Sequence, residues 1–149
     1  MEKLKTLKVL KGYTTEELNT IAQIAYFMMM QGHMEDAKTL FEGLLAIDPS
    51  QEYYYRALGV LAQKEDDSAL AIRHFGYAIQ LAPEQPYAYV NRAEIYIFLN
   101  QRQEAESDLQ EALARMPRKE QMLSQKAWAL YRSLKSTHNF KPISNIATF

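Results

Sequence analysis

Three prolines, Pro49, Pro83 and Pro117, stand at equal intervals along the chain. Each closes an apolar stretch of helical character: Leu45-Ala46-Ile47-Asp48, Ile79-Gln80-Leu81-Ala82 and Leu113-Ala114-Arg115-Met116. Proline lacks an N–H and crowds the turn before it, so a helix stops at or before each one. A fixed period of this length marks a repeat architecture, in which each unit buries its apolar face only by stacking on a neighbour. The expected fold is therefore all-α and built from helix pairs.

Counting back from each proline aligns three units, 18–51, 52–85 and 86–119. Ala37, Ala71 and Ala105 fall in register, as do Phe41, Phe75 and Leu109, then Leu44, Ala78 and Ala112. In the first helix of each unit Ala25, Gly59 and Ala93 align, and so do Ile21, Tyr55 and Tyr89. A small residue facing a large one is what two closely packed antiparallel helices require. The pattern predicts helices over 16–31, 34–47, 51–64, 67–81, 85–99 and 102–115. The breakers Gln31-Gly32-His33, Lys64-Glu65-Asp66-Asp67 and Leu99-Asn100-Gln101 separate the partners of each pair. Thr14-Thr15-Glu16-Glu17 reads as a capping box opening the first of them.

This pattern resembles the tetratricopeptide repeat, which includes a Leu-Gly pair, a later Ala, then Phe and Pro. Leu58-Gly59 reproduces the pair. Residues 120–135 carry Leu123, Ala127, Leu130 and Leu134 on one stripe, which predicts a capping helix over the last repeat. Residues 1–17 form a short amphipathic arm. Its Leu4, Leu7 and Leu10 make an apolar stripe too short to stand as an isolated helix, so a weak homodimer contact is expected there. Residues 136–149 read as a flexible tail with Pro142 and an apolar residue every third position from Phe140 to Phe149. That spacing would let the tail lie in a groove as a placeholder.

Composition narrows the chemistry. The 149-residue chain has a formal net charge of −1, which gives no general attraction to nucleic acid or to an anionic membrane. It has no cysteine, so neither disulfide nor thiol chemistry is available. No apolar run approaches the roughly 18 residues of a membrane span. Lysines interrupt the apolar residues near the N-terminus, which leaves no signal-peptide core; a cytoplasmic location is expected. His33, His74 and His138 show no metal-ligand spacing, and the five glycines are too scattered for a phosphate loop. Glu35-Asp36 and Asp66-Asp67 fall at turns or helix starts, where acids meet the positive end of a helix dipole. No enzyme activity, metal or cofactor is expected.

In such a stack the first helix of each pair lines the concave side. The concave register takes Asn19, Ala22, Gln23, Tyr26, Met29 and Met30 from the first unit. The second supplies Tyr53, Arg56, Ala57, Val60, Gln63 and Lys64, and the third Tyr87, Val90, Asn91, Glu94, Ile97 and Phe98. A merely solvated face would be mostly charged; this one is rich in Tyr, Met and aliphatic residues, suited to adaptable contact with a peptide. Tyr26, Met29, Tyr53, Arg56, Val60, Tyr87, Val90, Asn91, Glu94 and Ile97 are the expected peptide-binding residues. Phe98 and Met30 divide evenly between groove and core, and Met28 falls in the core by register. The groove lacks the Lys, Asn and Arg set of co-chaperones that grip acidic C-terminal tails, since only Asn91 offers that chemistry.

A second resemblance is more specific. Ile24-Ala25-Tyr26, Gly32-His33-Met34-Glu35-Asp36-Ala37, Phe41-Glu42-Gly43-Leu44 and Tyr54-Tyr55-Arg56-Ala57-Leu58-Gly59 resemble the tetratricopeptide chaperones of bacterial type III secretion that guard hydrophobic translocators. Ala71-Ile72-Arg73-His74-Phe75-Gly76-Tyr77-Ala78, Arg92-Ala93-Glu94-Ile95-Tyr96 and Glu104-Ala105-Glu106 continue the likeness. The short N-terminal arm departs from that family, which often carries a longer helix used in dimer contacts. The resemblance implies a holdase that binds an extended segment of a secreted translocator in its groove, without nucleotide, until export. The alternative is a scaffold subunit of a bacterial assembly such as a pilus or regulatory complex, engaging its partner through second helices.

Overall fold

A computed structural model describes residues 12–136. These hold seven helices and no strand: α1 (Thr15–Met30), α2 (Met34–Ile47), α3 (Glu52–Lys64), α4 (Ser68–Leu81), α5 (Tyr87–Phe98), α6 (Arg102–Ala114) and α7 (Gln121–Ser136). Consecutive helices pack as antiparallel pairs, α1 with α2, α3 with α4 and α5 with α6, and each pair lies against the next. The expected contact of Leu4, Leu7 and Leu10 and the tail beyond Ser136 lie outside the described residues.

Local chemistry sets the helix ends. The Thr14 backbone N–H donates to Glu17 Oε2 at 2.7 Å, and Glu17 N–H donates to Thr14 Oγ1 at 3.2 Å, closing the capping box. The helices before Pro49 and Pro83 stop two residues short of the ring. Their C-caps, Asp48 and Ala82, sit at φ −137° and −139°, the extended conformation that a following proline imposes.

The turn inside each pair repeats as faithfully as the prolines. Gly32, Asp66 and Asn100, spaced by the same period, all have positive φ, at 90°, 61° and 58°. In each case the next amide bonds back to the helix: His33 N–H to Met28, Asp67 N–H to Ala62 and Gln101 N–H to Tyr96. This is the Schellman closure, which satisfies a carbonyl the helix end would otherwise leave bare. Glycine takes that conformation freely, and Asp and Asn are the side chains that tolerate it best.

The core runs through the stack as three clusters bridged by the half-buried Val60 and Ile79. Phe41, Phe75 and Leu109, one from each second helix, are fully buried, and so are Ala37, Ala71 and Ala105. Gly59 marks the tightest approach: a Cβ there would lie 2.6 to 2.9 Å from three ring carbons of Phe75. Position 25 and position 93, the equivalents in the other pairs, carry Ala at 0% exposure. Between α5 and α6 the Arg92 guanidinium grips Asp108 with two hydrogen bonds of 2.8 Å. Asp108 holds that guanidinium above its usual pKa range.

The first helix shows what stacking does. Leu58 and Leu61 of α3 are buried against the first pair. The same register positions in α1, Ile24 and Phe27, have no preceding pair among the described residues and stand exposed.

His74 on α4 is half buried, 6.3 Å from the Tyr55 ring between centroids, and its Nδ1 has no hydrogen-bond partner among the described residues. Burial, and then the charge of Arg73, push its imidazole below the usual range, while Glu42 and Asp67 oppose this. The folded protein therefore holds this base uncharged where the unfolded chain still takes up a proton. Its contribution to stability is complete above the ordinary imidazole value and is lost as pH falls from there toward the folded value. Denaturation midpoints at about pH 7 and about pH 5.5 should differ less in His74→Gln than in the parent, since imidazole titrates near pH 6.5. An equal slope in both proteins would assign the acid sensitivity elsewhere.

Candidate peptide-binding groove

The first helices place Tyr53, Arg56 and Tyr87 together. Arg56 Cζ lies 4.6 Å from the Tyr87 ring centroid and 5.4 Å from that of Tyr53, so the guanidinium is held between two aromatic faces from neighbouring rows. Glu52, one turn earlier on α3, accepts its Nε–H at 3.2 Å. Cation–π contact of this kind contributes about 0.5–2 kcal/mol, more as water is excluded. Tyr53 rests edge-on against Phe41 at 5.9 Å, which ties the groove floor to the core. Burial pushes its phenol up, and the Glu120 carboxylate does the same for Tyr87.

Around this stack Val60, Asn91, Glu94 and Ile97 are half buried and Tyr26 is exposed. Glu94 is engaged by Lys126 of α7 at 2.8 Å. Met30 and Phe98, divided between groove and core by sequence, are both exposed, Phe98 at 81%. Phe98 forms the rim of a depression shared with Gln63, Asp66, Ser68 and Ile95. Met28 is half buried against the first-pair core.

Two expected groove residues are corrected. Met29, at 7% exposure, packs into the core of the first pair. Val90 is fully buried in a cluster with Ala127 and Leu134, because α7 lies over that part of α5. Ala22 and Ala57 are likewise core. Sequence reasoning also missed the reach of Lys126 to Glu94 in the groove. A usable signal was present: Ala127 follows Ala93 by one further period of the repeat.

No group of three or more His, Cys, Asp or Glu that could hold a metal occurs among the described residues. None of the described helices is long and apolar enough to cross a membrane. On α4, Tyr77 and Leu81 are exposed, a small apolar surface on a second helix that the sequence did not reveal.

Residues 86–117 match the family model of the tetratricopeptide repeat. Over 84% of this chain and 97% of its own, the structure of the type III secretion chaperone SycD of Yersinia enterocolitica, in complex with a peptide of the translocator YopD, superposes with a TM-score of 0.77 at 23% identity. The fold is a tetratricopeptide solenoid. The low calcium response locus protein H of Yersinia pseudotuberculosis is 26% identical over 115 residues, which is 75% of this chain and 68% of that protein. Its counterpart in Yersinia pestis is 26% identical over 104 residues, or 70% of this chain and 62% of that protein. The solenoid therefore resembles a type III secretion chaperone in fold.

Proposed function

We propose that this chain is a chaperone that holds an extended segment of a hydrophobic type III secretion translocator in its concave groove. The observation that carries this reading is the Tyr53–Arg56–Tyr87 stack, which joins two rows into one aromatic wall with few free charges. A rigid amphipathic wall suits an extended peptide, offering apolar area and polar tips at low entropic cost. The likeness to SycD, whose structure holds a translocator peptide, supports the same occupant here. Such a client exposes apolar segments that would aggregate or insert early, so shielding alone suffices and no catalytic step or cofactor is required. The expected setting is the cytoplasm.

Tyr26→Ala/Tyr87→Ala should leave the helical circular dichroism spectrum unchanged and weaken binding of a translocator-derived peptide by about 30-fold or more, the effect of about 2 kcal/mol. Unchanged affinity by calorimetry would remove the groove as the client site. The scaffold reading draws on Tyr77 and Leu81, exposed on α4. It is favoured if Tyr77→Ala/Leu81→Ser releases a co-purifying partner that the groove variant retains.

A further inference from the structure

The last helix obeys the same register as the concave ones. Ala127 lies one repeat period after Ala93 and, like Ala25 and Ala93, has 0% exposure. In that register α7 occupies the place of the first helix of a fourth unit, not merely that of a lid. Trp128 then stands where Tyr26, Val60 and Glu94 stand in the earlier rows, and Arg132 where Met30, Lys64 and Phe98 stand. The contacts agree with this placement. Lys126 reaches Glu94 in the adjacent row at 2.8 Å. Trp128 is 47% exposed, set edge-on to Tyr131 at 6.0 Å.

Charge distinguishes this row from the others. Residues 115–136 carry six basic side chains and one acid, Glu120. Arg115, Lys126 and Lys135 are engaged by Glu111, Glu94 and Glu106. Arg118, Lys119 and Arg132 are exposed and make no ion pair among the described residues. At the opposite end α1 carries Glu16 and Glu17 and no basic residue. The two ends of the stack thus differ in charge, the α7 end being basic and aromatic.

Resting on the function proposed above, we infer that α7 is a fourth wall of the groove, whose indole and unpaired cations seat an apolar side chain of the client flanked by acidic residues. The continuity of the rows from α5 to α7 and the charge of this end carry the inference. Neighbouring first helices lie about 10 Å apart, so four rows accommodate roughly ten residues of extended chain.

Trp128 is the sole tryptophan, so its emission reports this row directly. The probes are synthetic peptides of about twelve residues, long enough for all four rows. They share an apolar residue at every third position and carry a run of aspartates or of lysines at one terminus or the other. Binding is followed independently by the anisotropy of a peptide label. At low salt the aspartate peptide should shift the Trp128 emission and bind about tenfold tighter than its lysine counterpart in at least one orientation, the sum of several modest exposed pairs. That preference should vanish in Arg118→Gln/Lys119→Gln/Arg132→Gln, which leaves the core untouched. Peptide binding that depends on Tyr87 yet leaves the emission unchanged, with aspartate and lysine peptides equal, makes α7 a plain end cap and overturns this inference alone. If none of the peptides binds, the groove and its fourth wall fall together. If phosphatidylserine vesicles shift the emission and the peptides do not, the face is a membrane surface and the inference is wrong.

Discussion

Phe75→Ala should cost about 4 kcal/mol of folding stability, and in that background Gly59→Ala should change sign from harmful to helpful. The ring of Phe75 is fully buried at the centre of the second pair, and truncating such a side chain removes its transfer energy and leaves a cavity, about 3–5 kcal/mol together. Gly59 is there because the ring lies where a methyl would go, with three carbons within 2.6 to 2.9 Å. Two effects oppose each other when Ala replaces it in the parent. Helix propensity favours Ala by about 1 kcal/mol. Overpacking against a buried ring costs about 1–3 kcal/mol, and with all three atoms inside contact distance the upper part of that range applies. The net expectation is a loss of about 1–2 kcal/mol. Once Phe75 is truncated the clash is gone and only the propensity gain remains. Urea denaturation of the two single variants and the double variant closes the cycle. Additive effects would show that Gly59 is present for some reason other than the ring.

Arg92→Met is expected to lose about 3 kcal/mol, because it strands a buried carboxylate rather than because it deletes an attraction. The Asp108 side chain is 7% exposed and receives two hydrogen bonds from Arg92. Removing the guanidinium leaves that charge without its partner in a place water reaches poorly. Arg92 itself keeps 21% of its side-chain surface, which holds the expected loss to the lower part of the range for buried pairs. Replacing both residues, as Arg92→Met/Asp108→Leu, should recover most of the loss, since a well-packed apolar pair is often as stable as the ion pair it replaces. Thermal unfolding of the single and double variants decides it; a double variant no better than the single would mean that the pair is a positive contributor in its own right.

Much of the fold was legible because repetition multiplies weak signals. One proline after an apolar run says little, but Pro49, Pro83 and Pro117 at equal spacing determine where three helix pairs end. The candidate groove was legible only in part. Register tells which residues share a face of a helix; it does not tell how far a neighbouring helix covers that face. Arg56 and Val90 hold the same place in successive units, yet Arg56 lies between two tyrosines and Val90 lies beneath α7. Met29 was lost to the core for the same kind of reason. The Arg92–Asp108 pair joins residues 16 apart on different helices, a distance over which local periodicity carries no information about charge. The special place of Gly59 depends on the rotamer of one ring and is invisible before coordinates.

The three left-handed turn residues make each hairpin close in one way, whichever of Gly, Asp or Asn stands there. The joints between hairpins are not alike. They run 48–51, 82–86 and 115–120, lengthening by one residue at each step. The repeat period is constant, so the joints lengthen as the helices beside them shorten, the first helices from 16 to 13 to 12 residues, and none of the expected groove residues lies in a joint. Substitution within a joint is therefore a way to change how one hairpin hands over to the next while every expected contact residue stays in place.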